Sequence, residues 1–187
     1  MCLTTPPPVL KTYALFRYET PIVQFIGRLK FNQQLIYANI LGNLFIQQIE
    51  KNENWKNYLP DMILPVPLHP TRLQERGFNQ ALEIARPIAK KYQIPLDITG
   101  VSSIRATSAQ SQLSLHERKK NIIGAFQAHR NYENLSIAIL DDVMTTTYTI
   151  FELAALLKQK GARQIAAWCA ARTQIHPSSL ALTEKTL

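Results

Sequence analysis

An α/β domain built around a central parallel sheet is the fold class this sequence predicts, and three observations predict it. Over residues 62–171, short apolar runs alternate with helical patterns, the grammar of parallel strands joined by crossover helices. One of those runs, Ser136–Leu140, ends in Asp141-Asp142, then a Thr-rich loop, then a helical pattern. The bulk composition, 46% apolar and 18% charged over 187 residues, is that of a folded chain and excludes disordered and fibrous classes. A chain of this length buries roughly 70% of its unfolded surface, enough for a core without a disulfide or metal staple.

The elements follow in order. Residues 1–10, with three consecutive prolines, read as an extended tail. Between Pro21 and Glu50, Ile22, Phe25, Ile26 and Leu29 recur at helical spacing, as do Ile36, Ile40, Leu41, Leu44 and Phe45. Two amphipathic helices broken near Phe31-Asn32 fit this pattern. A polar connector, residues 51–60, precedes the buried strand expected at Met62–Val66. Gly77–Tyr92 carries Phe78, Ala81, Leu82, Ala85, Ile88 and Ala89 on one helical face, with Pro87 predicting a kink or an end. Ile94–Ile104 holds one or two short strands. Arg105–Asn121 reads as a loop with a basic helix around Ser114–Lys120. Ser136–Leu140 is a strand. Thr149–Lys160 is a helix with Ile150, Leu153, Ala154 and Leu157 inward and Gly161 as its stop, and Gln164–Ala171 is a last buried strand.

Composition bounds the function classes. The two cysteines, Cys2 and Cys169, have no CxxC spacing, which excludes a disulfide framework and a complete zinc knuckle. No apolar run approaches the ~20 residues a bilayer requires. No basic stretch followed by an apolar core opens the chain, so a secretory leader and membrane insertion are not expected and a reducing, cytoplasmic setting is. The net charge of +8 divides as +3 over residues 1–60, +4 over 61–135 and +1 over 136–187. Such an excess either solubilises the protein or suits phosphate-rich partners, nucleotide or nucleic acid. His69, His116, His129 and His176 show no metal-ligand spacing and read as surface or loop residues; Trp55 and Trp168 read as packing residues.

The segment Ile137–Thr149 carries the most chemistry. Ligands of parallel sheets bind beyond the carboxyl ends of the strands. A helix N-terminus there binds phosphate through free N–H groups, and Thr145, Thr146, Thr147 and Thr149 add hydroxyl donors. Asp141 and Asp142 are too repulsive toward phosphate to bind it directly. They suit a sugar diol, or Mg²⁺ bridging that diol to pyrophosphate. The alternative is an Asp/Thr helix cap at the end of a core strand.

Strand, Asp-Asp, Thr-rich loop and helix resemble the 5-phosphoribosyl-1-pyrophosphate (PRPP) motif of type I phosphoribosyltransferases. Val66-Pro67-Leu68-His69-Pro70, Arg72-Leu73 and Arg76-Gly77-Phe78-Asn79-Gln80 narrow the resemblance to the ComF/GntX branch. So do Arg105, Thr107, Gln110, Leu113, Glu117-Arg118, Asn121 and Gly124-Ala125-Phe126, together with Tyr18, Pro21 and Leu29-Lys30-Phe31. The resemblance spans Cys2 to Arg172.

It implies a type I phosphoribosyltransferase fold. The sheet would have about five parallel strands flanked by helices. Residues 1–60 would form a tail and helical lobe, 61–175 the transferase-like domain and 176–187 a C-terminal tail. Asp141, Asp142 and Arg105 would be catalytic. Thr145, Thr146, Thr147, Tyr148, Thr149, Arg72 and Arg76 would hold PRPP, and Mg²⁺ would be bound by Asp141 and Asp142 indirectly, through PRPP. Arg72 and Arg76 have a structural alternative, an ion pair with Glu75 or Glu83. For Arg105–Arg118, implied to be a hood over PRPP, the alternative is an ordinary surface loop. The implied role is in bacterial DNA uptake and natural transformation, as a transferase acting on PRPP. The alternative is a non-catalytic module that holds single-stranded DNA or a competence protein, with Arg118, Lys119 and Lys120 as nucleic-acid contacts.

Two departures from the family pattern carry expectations. The family opens with a four-cysteine zinc module of which Cys2 looks like the last, so zinc is not expected. Thr147 and Tyr148 stand where the family has glycine and a small residue. A β-branched residue resists positive φ, which predicts weak PRPP binding.

Overall fold

The computed structural model describes residues 9, 11–57, 59–105, 122–145 and 147–173. The elements are β1 (Lys11–Arg17), α1 (Ile22–Asn32), α2 (Ile36–Lys51), α3 (Glu53–Lys56), β2 (Met62–Pro65), α4 (Pro70–Arg76), α5 (Gln80–Tyr92), β3 (Val101–Ser103), β4 (Phe126–Ala128), β5 (Ser136–Met144), α6 (Tyr148–Gln159) and β6 (Gln164–Arg172). The main sheet has the order β1-β6-β5-β2, and each neighbouring pair is parallel. β3 and β4 form a separate antiparallel pair.

The expected α/β architecture is there, with four strands in the main sheet rather than about five. A fifth position is begun at Leu96, which makes a single parallel bridge to Ile63. Pro95 accepts from Ile63 N–H but has no N–H of its own to extend the ladder. The strand β1 falls within the stretch expected to be tail and helices, and it forms the edge of the sheet beside β6. Val9, in the expected tail, is buried against the second core cluster.

Ile137, Ala138, Ile139 and Leu140 are each at most 1% exposed, as a central parallel strand covered on both faces must be. Alternation sorts the side chains. Ala138, Leu140, Trp168 and Ala170 pack with Ile26 and Leu29 of α1, Leu41 and Phe45 of α2, and Ile84 and Ile88 of α5. Ile137, Ile139, Ile165 and Ala167 pack with Ile150, Leu153, Ala154 and Leu157 of α6. Trp168 stacks on Phe45 at 6.1 Å and Trp55 meets Tyr13 edge-on at 4.7 Å, so both tryptophans are packing residues.

Three boundaries differ from expectation. β5 does not stop at Leu140 but runs through both acids to Met144, because the ladder with β6 continues through Asp141–Cys169 to Met144–Arg172. The helix expected from Gly77 begins at Gln80, and a separate short helix, α4, for which no element was expected, ends just before Gly77. Gly77, at φ +77°, closes α4 with its N–H on the Leu73 carbonyl at 2.8 Å, and Asn79 caps α5 by accepting from Leu82 N–H at 3.3 Å. Pro87 neither ends nor divides α5, which continues to Tyr92. Its ring lies against α2 at Gly42, where a Cβ would collide with that ring and come within 2.7 Å of the Ile84 carbonyl oxygen. Close packing of the two helices holds the proline-bearing turn in place.

Candidate functional site

A pocket of about 200 Å³ lies at the carboxyl ends of β2 and β5. Arg72, Arg76, Asp141, Asp142 and Thr149, which the sequence reading places at the site, line it together with Lys30, His69 and Gln80, which that reading names within matched strings and gives no site role.

The basic wall is α4. Pro70 opens it, where a missing N–H costs nothing, and His69 Nδ1 accepts from Thr71 N–H at 3.4 Å. Arg72 and Arg76 are four residues apart and so share one face. The Arg72 guanidinium is held below its ordinary basicity, by burial first and by the Arg76 charge second, while Glu75 acts in the opposite sense. Neither arginine has a hydrogen bond or ion pair among the described residues. Glu83, one candidate partner, is bonded to Arg86 at 3.0 Å instead. Two forked donors whose charges repel are arranged for an anion that would join them.

The acidic wall is the end of β5. Strand alternation sends Asp141 and Asp142 to opposite faces. Asp142 faces the α1 side, where its Oδ2 is paired with Lys30 Nζ. Asp141 lies on the face of Cys169, its partner in β6, and its Oδ1 accepts the N–H of Asp142 at 2.9 Å. Burial, and then the negative charge of Asp142, push the Asp141 carboxyl up to about 8, and Lys30 opposes the shift. Cys169, buried beside it, has its thiol pushed up to about 12 by burial and by Asp141, and is unreactive at neutral pH.

The Thr-rich loop lies beside this pocket. Thr145 is exposed, and its carbonyl accepts from Thr173 Oγ1 at 3.1 Å. Thr147 is the N-cap residue of α6 at φ −78°, ψ −2°, an ordinary conformation for a β-branched residue. The strain expected there is absent. Tyr148 begins α6, and Thr149 in its first turn reaches the pocket. Thr146 lies outside the described residues, as do Thr107, Gln110, the Ser114–Lys120 helix with Arg118, Lys119 and Lys120, and the tail 176–187. Arg105, at the end of β3, does not line the pocket. Its Nη1 donates to the Ile123 carbonyl at 3.0 Å.

Among the described residues, no three acidic, His or Cys side chains cluster as a metal site. Two carboxylates, one already paired with Lys30, suit Mg²⁺ that keeps its waters and takes its remaining ligands from a bound phosphorylated molecule. The donor set therefore fits an ion that arrives with its ligand.

Lys30 was the residue hardest to foresee. It stands in a different element, far upstream of Asp142, and although the string Leu29-Lys30-Phe31 belongs to the resemblance, nothing in it points to the acid that Lys30 meets. Gln80 belongs to the matched string Arg76-Gly77-Phe78-Asn79-Gln80, but a glutamine in that string does not by itself indicate burial.

No family model matches the chain. It is 34% identical over 173 residues to the DNA utilization protein YhgH of Salmonella typhimurium, covering 92% of this chain and 76% of that one. It is 30% identical over 177 residues to competence protein F of Haemophilus influenzae, covering 91% and 76%. Among solved structures, a purine phosphoribosyltransferase from Pyrococcus horikoshii superposes with a TM-score of 0.45 at 16% identity, over 75% of this chain and 78% of that chain. No helix among the described residues is long and apolar enough to cross a membrane.

Proposed function

Since the chain belongs to the family of the DNA utilization protein YhgH and competence protein F, we propose that it serves DNA uptake or use by binding PRPP with Mg²⁺ and transferring its phosphoribosyl group to a nitrogen nucleophile. The observation that carries this reading is that Asp141 and Asp142, at the carboxyl end of β5, and Arg72 and Arg76 of α4 line one and the same pocket. In the reaction the bond from the anomeric carbon to pyrophosphate breaks, pyrophosphate leaves with the electron pair, and a carbon–nitrogen bond forms as the nucleophile loses a proton. Arg72 and Arg76 take up the charge of the leaving group, and the acid pair orients the ribose diol. Mg²⁺, held indirectly by Asp141 and Asp142 through the ligand, would supply further neutralisation of the pyrophosphate charge. Asp142 reaches the diol once Lys30 gives way, so ligand binding and opening of the Lys30–Asp142 pair are linked.

Calorimetric titration with Mg-PRPP, followed by a pyrophosphate-release assay over a panel of nucleobases and amines, tests the reading. Saturable binding and release with one acceptor support it. A protein that neither binds Mg-PRPP nor is stabilised by it overturns it.

A second reading rests on the net charge of +8: a non-catalytic module that holds single-stranded DNA. Changing Arg118, Lys119 and Lys120 to Ala would then lower the slope of log affinity against log salt by up to ~2, at about 0.7 per phosphate contact. An unchanged slope removes those three residues from the DNA surface.

A further inference from the structure

Two neighbouring amides at the start of α5 meet different fates. Asn79 is fully engaged. Its Nδ2 donates to the Val66 carbonyl at 3.0 Å, and its Oδ1 accepts from Leu82 N–H at 3.3 Å, tying the exit of β2 to the helix. Gln80 is only 2% exposed, lines the pocket, and has an Nε2 without a hydrogen-bond partner. A buried amide in that state costs free energy comparable to a lost hydrogen bond. The backbone N–H groups of Gln80 and Ala81 precede the first helical bond and have no partner among the described residues, and Ala81 lines the same pocket. The one acid in this first turn, Glu83, is drawn off by Arg86 at 3.0 Å.

We propose that the first turn of α5 is an oxyanion site, completed by Gln80 Nε2, which takes a phosphoryl oxygen of the bound ligand opposite Arg72 and Arg76. This rests on the reading of the pocket as one for a phosphorylated sugar. The orphaned amide is the signature of a group kept for a ligand: in the free protein it is a liability, and in the complex it becomes a charge-assisted donor. Removing the donor while keeping the shape therefore separates stability from binding.

The experiment titrates inorganic pyrophosphate and, separately, Mg-PRPP into the natural protein, Gln80→Met and Gln80→Glu, with melting temperatures for each. Gln80→Met should bind pyrophosphate about 10-fold more weakly or worse, as expected for a lost hydrogen bond to a charged group, and melt at the same temperature or higher. Gln80→Glu should lose more, because a carboxylate there repels the anion. Undiminished pyrophosphate binding by Gln80→Met overturns the site. If that variant does not fold, undiminished binding by Gln80→Glu does so. Mg-PRPP distinguishes the two readings. Binding of Mg-PRPP that ignores Gln80 sinks the oxyanion site and leaves the functional reading standing. Gln80-dependent binding of pyrophosphate without binding of Mg-PRPP does the reverse. A natural protein that binds neither overturns both.

Discussion

Two carboxylate networks in this protein, one around Asp97 and one around Asp141 and Asp142, are built to opposite rules. Asp97, 5% exposed, accepts from Gly100 N–H at 2.8 Å and from Tyr132 Oη at 2.6 Å, and its Oδ2 pairs with Arg130 Nη2 at 3.0 Å. Arg130 also lies 5.0 Å from the centre of the Tyr132 ring. Gly100 is needed for this closure, since a Cβ there would fall within 2.6 Å of Asp97 Oδ1. Burial and the bond to Asp97 raise the Tyr132 hydroxyl above its ordinary range, so it stays a donor. At the other cluster, Asp141 and its neighbour Asp142 both line the pocket, and Lys30 pairs with Asp142. The first is a satisfied network of the kind that holds a fold together. The second is a like-charge pair that one lysine relieves only in part, with the proton affinity of Asp141 raised, which is how a site poised for a ligand differs from a structural one.

The comparison breaks first at Asp97. Asp97→Ala leaves the buried Tyr132 hydroxyl and the Gly100 N–H without their acceptor, while the half-exposed Arg130 is rehydrated, and should destabilise the protein by about 2–4 kcal/mol, read by urea unfolding. A loss under about 1 kcal/mol would mean that the network is ornamental. Asp141→Asn with Asp142→Asn should act the other way round. Relief of the mutual repulsion is opposed by the lost partner of Lys30, so stability changes little, while Mg-PRPP affinity falls by about 100-fold or more, a little under 3 kcal/mol. A double variant that unfolds as Asp97→Ala does would make the acid pair structural.

A smaller effect follows from the Asp141 carboxyl, pushed up to about 8 by burial and by Asp142. The folded state holds a proton there that the unfolded chain has released above roughly pH 4. Stability from this group is full at low pH and is lost as pH rises through that window toward 8, since the native state binds more protons than the unfolded one. Asp141→Asn should flatten this limb, and its stability advantage should grow toward pH 8. Unfolding curves at several pH values check it. An unchanged limb would show Asp141 ionised in the folded protein.

What the sequence made legible follows from the range of each signal. Paired helices α1 and α2 and the core face of α6 rest on spacing within one element, and each is in place; Arg72 and Arg76 rest on the resemblance, and the short helix that carries them was not read from the sequence. The parallel architecture rests on alternation of elements and is there too. Boundaries set by partners were not readable. β5 continues through two acids because β6 lies beside it, and α5 passes Pro87 because Gly42 of α2 lets the ring seat. β1 and β4 lack a strong local pattern; β1 is an edge strand with one buried side chain, Tyr13, and β4 has three residues and none. Within the site, the wall residues were readable and the cross-element contact, Lys30 with Asp142, was not.

The smallest predicted effect concerns Thr147, and it sharpens what counts as a departure from the family pattern. Glycine at this place suggests a positive φ, and a threonine forced there carries about 1–3 kcal/mol of strain, or roughly 5- to 150-fold in affinity. Thr147 instead sits at φ −78°, ψ −2°, and its carbonyl accepts from Phe151 N–H at 2.9 Å as α6 begins. That conformation suits threonine, and its side chain makes no capping hydrogen bond that glycine would forfeit. Thr147→Gly should therefore change Mg-PRPP affinity by less than about twofold and lower stability by only a few tenths of a kcal/mol, the usual cost of glycine at an N-cap. Calorimetry on both proteins decides. A gain of about fivefold or more would mean that the loop turns to positive φ when the phosphate binds, and that threonine resists that turn.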